Sequence, residues 1–239
     1  MSGTPVESST LHADSTAHST LPPTKPSTSG HAPAGKPDPT TNVQDGAKGG
    51  LSASAASGSS ELASLKVGLR SAVRQFPDFP SPGILFEDIM PIFADPKLHE
   101  SLIRALELHV RQTYERIPDV IVGLDARGFL FGPSLALRVG ASFVPVRKKG
   151  KLPGPCQTES YEKEYGQDFF QMQSDGVKPG QTVLVVDDLI ATGGSAAAAG
   201  GLVKKLGGTL LGYIFILELD FLKGRAKLDA PVYTLLSSQ

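Results

Sequence analysis

The chain has 239 residues, enough for one or two domains, and a formal net charge of -1. That balance excludes the global basic field on which nucleic-acid or anionic-membrane binding depends. The lone cysteine, Cys156, excludes an intramolecular disulfide, and no His-x-x-x-His or Cys-x-x-Cys pair offers a zinc site.

Residues 1–59 are rich in Ser, Thr, Pro, Gly and Ala and contain no aromatic side chain. Such a stretch cannot bury enough apolar surface to offset its ordering entropy, so a disordered tail is expected there. It has neither the apolar core of a secretory signal nor any Arg for a transit peptide, so the chain is expected to be cytoplasmic. The longest apolar run, Leu210 to Leu217, stops at Glu218 and is too short to span a bilayer, so no membrane partner is expected.

A single folded domain is expected over 60–239. Leu62, Leu65, Leu69, Val73 and Phe76 fall at helical spacing, with Ser60 as N-cap. Three prolines and Gly83 break that helix before a short extended segment, Ile84 to Ile89. A second amphipathic helix is predicted from about Pro96 to Glu115, with Leu98, Leu102, Leu106 and Val110 on one face. Its His99 and His109 read as ordinary boundary residues. Val120 to Leu124 reads as a core strand running into Asp125-Ala126-Arg127-Gly128-Phe129, with a helix to follow from about Leu130 to Val139. Ser142 to Val146 is a second strand, whose Pro145 suggests an edge or a strand end. The cationic loop Arg147 to Pro155 comes next, then a polar and aromatic stretch, then a flap strand from Asp168 to Gln173.

The most informative stretch follows. Val183 to Val186 is an apolar run that ends in two acids, Asp187 and Asp188. Leu189 and Ile190 lead into Ala191-Thr192-Gly193-Gly194-Ser195 and four alanines. Read physically, this is a buried parallel strand, a loop and a helix start. Unpaired N–H groups and the positive end of the macrodipole make such a loop a phosphate cradle, to which Thr192 and Ser195 can add hydroxyl donors. Asp187 and Asp188 stand where the strand exits, where ligands of open α/β sheets bind, and can accept hydrogen bonds from sugar hydroxyls. Further strands are predicted at Leu210–Leu217 and Val232–Leu236. Strands alternating with helices argue an α/β fold, a central mostly parallel sheet flanked by helices with a small hood or flap. No Gly-x-Gly-x-x-Gly and no Gly-x-x-x-x-Gly-Lys-Ser/Thr occurs, so dinucleotide and P-loop binding lose their usual support.

The acids with their Ala-Thr-Gly-Gly-Ser loop resemble the phosphoribosyl-pyrophosphate (PRPP) signature of the type I phosphoribosyltransferases. Phe76 to Phe86, Gly123 to Leu135, Arg147 to Pro155, Glu164-Tyr165-Gly166 and Leu222 to Leu228 narrow the resemblance to the adenine phosphoribosyltransferases, over about residues 62–239. The resemblance implies adenine and PRPP as substrates, AMP and pyrophosphate as products, Mg²⁺ as cofactor and a homodimer. The monophosphate is expected at Ala191, Thr192, Gly193, Gly194 and Ser195, the ribose on Asp187 and Asp188, and the pyrophosphate at Arg127, Lys148 and Lys151. Mg²⁺ is expected to be held mainly by PRPP and water. The resemblance further places adenine near Leu85, Phe86 and Glu87, with Phe86 against the ring. It puts Glu164 and Tyr165 on a closing flap, Glu164 acting near purine N7. The two alternatives are another type I phosphoribosyltransferase, using orotate or a 6-oxopurine, and a PRPP-sensing regulatory module without catalysis.

Overall fold

The computed structural model describes residues 53–163 and 166–237. Most of the tail expected over 1–59 lies outside the described residues, as do Glu164 and Tyr165.

Helix α1 runs Ala53–Ala72, so Ser60, the expected N-cap, lies inside it. Ala53, Ala55 and Ala56 explain the earlier start, since alanine is the strongest helix former and serine costs little. Val73 and Phe76 fall outside the helix. β1 (Arg74–Pro77) and β2 (Leu85–Asp88) form an antiparallel pair with Phe76 opposite Phe86. Only β2 was foreshadowed as extended; all four residues of β1 are exposed, so it carries no alternation to detect. The short helix α2 (Met90–Ala94) precedes α3 (Pro96–Thr113). Asp95 caps α3, its carboxylate accepting from Lys97 N at 2.7 Å and Leu98 N at 3.3 Å. Leu102, Leu106 and Val110 are buried as their spacing predicts, and His99 and His109 are half-buried.

β3 (Val120–Leu124) is buried at every residue. A 3₁₀ turn, Arg127–Leu130, leads into α4 (Gly132–Val139) and β4 (Ser142–Lys148). β5 (Cys156–Lys163) and β6 (Gly166–Gln173) form an antiparallel hairpin; β5 is mostly polar and gave no strand signal. β7 (Thr182–Ile190), α5 (Gly194–Lys205), β8 (Thr209–Glu218) and β9 (Val232–Thr234) complete the domain. The main sheet has seven strands in the order β5-β6-β4-β3-β7-β8-β9. Strands β4, β3, β7, β8 and β9 are parallel, and the β5–β6 hairpin joins antiparallel at one side. β4 is thus an interior strand, not an edge. β6 pairs with it only at Arg147 and Lys148, which leaves Pro145 beyond the ladder and accounts for its tolerance there.

The sheet is covered on both faces. Ile121, Leu184, Val186, Ile214 and Ile216 pack against α1 to α4, while Val120, Val122, Val183, Val185 and Phe215 pack with α5 and the flap. Continuous apolar strands follow from two buried faces. No helix among the described residues is long and apolar enough to cross a membrane.

Candidate active site

Parallel pairing brings several strand ends to one edge of the sheet. Gly123 is in register with both Pro145 and Val186. Asp125, Arg147 and Asp187 therefore emerge within a residue or two of one another on the strand-exit side, where open α/β sheets bind ligands. Arg147 Nε donates to Asp125 Oδ2 at 3.1 Å and its Nη1 to the Lys151 carbonyl at 3.2 Å, which ties the cationic loop to the end of β3. The Asp125–Ala126 peptide is cis.

Asp187 and Asp188 close β7. Asp188 N–H donates to Asp187 Oδ1 at 2.9 Å, and Arg127 Nε lies 2.5 Å from Asp188 Oδ2. Burial, and then the neighbouring Asp188 charge, push the Asp187 carboxyl well above the usual carboxylate range. Burial also raises Asp188, against the pull of Arg127. After Ile190 the chain turns through Ala191 to Gly193 into α5, whose first intrahelical bond of this turn is Ala197 N to Gly193 O at 2.9 Å. The N–H groups of a helix's first turn have no partner within the helix and so are available to an anion.

A cavity of about 520 Å³ joins these parts. Asp187, Ala191, Thr192 and Ser195 line one side, Asp125 and Lys148 another, and Tyr161, Glu162 and Phe170 of the flap hairpin roof it. Lys151 is exposed and does not line it. A smaller cavity, about 130 Å³, lies beside it, between β2 and the end of β7, lined by Phe86, Glu87, Asp88, Arg127 and Asp188 among others. Arg127 thus faces the smaller cavity, not the one that Lys148 lines. Leu85 is exposed and lines neither. The Glu87 carboxylate pairs with Arg70 of α1, so its side chain ties the hairpin to the helix. Glu164 and Tyr165 lie outside the described residues.

Sequence reasoning passed over Asp125, Tyr161, Phe170, Asp88 and Leu222 as site residues. Asp125 carried a usable signal, an acid at the exit of a core strand, as Asp187 is. Tyr161 and Phe170 stack with ring centroids 4.7 Å apart, a contact that exists only once the hairpin pairs.

The comparisons with known proteins agree with this geometry. The model of the phosphoribosyl transferase domain family matches residues 92–239. An adenine phosphoribosyltransferase of Yarrowia lipolytica is 63% identical over 179 residues, 74% of this chain and 98% of that protein. A crystal structure of the Saccharomyces cerevisiae adenine phosphoribosyltransferase, complexed with an imino-altritol bisphosphate and adenine, is 58% identical with a TM-score of 0.71, covering 73% of this chain and 99% of that one. The Rhodothermus marinus adenine phosphoribosyltransferase is 44% identical with a TM-score of 0.67, over 74% and 99% of the two chains. With its glycine-containing loop, paired acids and hairpin at one edge of the sheet, the chain belongs to the adenine phosphoribosyltransferase family.

Proposed function

We propose that this protein transfers the 5-phosphoribosyl group from PRPP to adenine, giving AMP and pyrophosphate, the reaction of purine salvage. One observation carries the reading: Asp187, the first of the paired acids of β7, and Ala191, Thr192 and Ser195 of the loop open into one cavity with Lys148. A sugar phosphate matches that lining, with its phosphate on the helix-start N–H groups and its hydroxyls on carboxylates.

The reaction forms a bond from adenine N9 to the anomeric carbon and breaks the bond from that carbon to pyrophosphate. Positive charge develops on the ribose ring and negative charge on the departing pyrophosphate. Asp187 and Asp188 accept hydrogen bonds from the ribose 2- and 3-hydroxyls and hold the ring in line. Lys148 and Arg127 are cations beside the leaving group, and charge placed in advance of the transition state is the strongest single source of rate. Lys151, in the same loop, is a further cation for the pyrophosphate. Phe86 packs on the purine, and the backbone of Leu85 to Glu87 reads its edge. Glu164, on the flap with Tyr165, takes the role of acid–base partner at purine N7.

Mg²⁺ fits the donor set. Among the described residues no group of three or more His, Cys, Asp or Glu could hold a metal, while Asp125 and Asp187 line the cavity as single hard-oxygen donors. Mg²⁺ prefers one or two carboxylates with substrate phosphate oxygens and water, so PRPP and water would hold it mainly, with Asp125 and Asp187 as the carboxylates within the cavity that would assist. When bound it supplies Lewis-acid neutralisation of the pyrophosphate charge.

The reading includes a homodimer and a cytoplasmic location. Leu137 of α4 is 84% exposed and Leu130 42%, apolar side chains that a second copy would cover. Catalysis belongs to the domain that includes all of α1, and the Ser/Thr/Pro-rich residues before it form a tail without a part in the reaction. AMP formation from adenine and PRPP, with and without Mg²⁺ and against a panel of bases, tests the assignment. Turnover of orotate or a 6-oxopurine in place of adenine would overturn it.

A further inference from the structure

Between β8 and β9 the chain makes two 3₁₀ turns, Asp220–Leu222 and Gly224–Lys227. The reaction as described gives this strap no task. Its backbone nevertheless interlocks with the phosphate loop. Gly193 has φ 77°, and a Cβ there would overlap the Gly224 carbonyl oxygen. A Cβ on Gly224 would overlap the Ala191 carbonyl oxygen and come within 2.9 Å of Gly193 N. Main chain lies against main chain with no side chain between, so neither segment can shift without the other.

The strap is in turn fixed to the sheet by one side chain. Arg225 Nε lies 2.7 Å from both carboxylate oxygens of Glu218, the last residue of β8. Its Nη1 donates to the Val232 carbonyl at 2.8 Å and its Nη2 to Thr234 Oγ1 at 2.7 Å, both on β9. Thr234 Oγ1–H donates to Glu218 Oε2 at 3.0 Å, and Glu218 is only 6% exposed. A guanidinium fork held by a buried carboxylate and two further acceptors is a rigid clamp. The residue before this arginine is the glycine that touches the loop. Leu222 of the strap also lines the cavity with Thr192 and Ser195.

We propose that Arg225 is a positioning residue of the phosphate loop: clamped on Glu218 and Thr234, it holds Gly224 against Gly193 and so fixes the N–H groups of Ala191–Ser195 toward the 5-phosphate. The proposal rests on the reading of that loop as the monophosphate site. The pyrophosphate and adenine sites are built from β3, β4 and β2, which the strap does not touch through Gly224. Loosening the clamp therefore weakens one end of the substrate.

The test is Arg225→Met, with Arg225→Lys as the conservative variant and Thr234→Val as a milder lesion. Ribose 5-phosphate and pyrophosphate binding are measured by calorimetry, KM for PRPP and adenine by initial rates, and the fold by circular dichroism. Misplacement by about 1 Å can cost on the order of 10²-fold, so Arg225→Met is expected to weaken ribose 5-phosphate at least about tenfold. KM for PRPP rises with kcat changed less, while pyrophosphate binding and KM for adenine stay within about twofold. Arg225→Lys recovers part of the loss. Should Arg225→Met fail to fold, Thr234→Val carries the same comparison. Unchanged ribose 5-phosphate binding, or equal losses for all ligands, overturns the proposal. Ser195→Ala and Thr192→Ala serve as controls: if they leave ribose 5-phosphate binding intact, the monophosphate reading itself fails and the proposal with it.

Discussion

Arg127 Nε and Asp188 Oδ2 stand 2.5 Å apart, joining the turn after β3 to the second acid of β7. The carboxylate side chain is 8% exposed and the guanidinium 48%, so the pair is half in water. Arg127 keeps donors for a ligand while it partly offsets the burial that pushes the Asp188 carboxyl toward its protonated form.

Arg127→Ala removes both effects. PRPP and pyrophosphate binding should fall at least about tenfold, the loss of a charge-assisted contact or two. AMP, which has no pyrophosphate, should lose less, through Asp188 alone. Titration calorimetry with the three ligands checks this. Equal losses for all three would mean that Arg127 acts only by holding Asp188.

Asp187 trades stability for function. Its folded-state carboxyl binds a proton more tightly than the unfolded one, because burial and Asp188 raise its pKa. Protonation thus favours the fold: this contribution is fully present below the unfolded value of about 3.9 and is lost as pH rises through the higher folded value. Above about pH 4 the unfolded carboxyl gives up its proton more readily than the folded one, so the native group costs stability. Asp187→Asn should therefore melt at or above the wild-type temperature at pH 7, and the gain should shrink as pH falls toward about 4. PRPP turnover should collapse in the same variant. A melting temperature well below wild type at pH 7 would make Asp187 a structural residue first.

The Arg70–Glu87 pair links α1 to the strand that carries Phe86. The side chains are 20% and 5% exposed, they meet through Arg70 Nη2 and Glu87 Oε1, and Arg70 Nη1 and Glu87 Oε2 are buried without a hydrogen-bond partner among the described residues. Removing one member strands a buried charge, so Arg70→Met should cost about 3 kcal/mol in denaturant unfolding. KM for adenine should rise more than KM for PRPP, since β2 borders the smaller cavity. The charge-exchanged double variant Arg70→Glu, Glu87→Arg should recover most of both losses. A double variant no better than Arg70→Met would show that geometry, not charge pairing, holds the hairpin.

Legibility in the sequence followed burial on two faces. Val183 to Val186 read as a core strand because both faces are covered, and the adjoining acids and glycines then stood out as a ligand loop. The β5–β6 hairpin was half read, since Cys156 to Lys163 alternates too little for a period to show. Its pairing with β6, not its own composition, makes β5 a strand. Pro145 signalled an edge where the structure has an interior strand with a locally unpaired side. The clamp of Arg225 on Glu218 and Thr234 joins residues up to 16 apart and left no pattern. Asp125 was legible and overlooked; the smaller cavity, which Arg127 and Phe86 share, required the fold.

Glu164 gives the last prediction. Adenine must lose a proton overall as N9 bonds to the ribose, and a partner at N7 relieves the charge that develops on the ring. The hairpin that carries Tyr161 and Glu162 into the cavity wall leads directly to Glu164 in sequence. A carboxyl group on a closing flap can exchange a proton with the ring. Positioned acid–base groups contribute about 10²–10⁴-fold. Glu164→Gln keeps the shape and some hydrogen bonding but cannot exchange a proton as a carboxyl does. Its kcat should fall at least about tenfold while PRPP affinity changes much less, because the proposed PRPP contacts, Asp187, Asp188, the Ala191–Ser195 loop and the cations, do not include it. Single-turnover AMP formation measured beside PRPP binding separates the two. Unchanged chemistry would leave Glu164 a solvated flap residue and put the whole rate enhancement on the charges around the pyrophosphate.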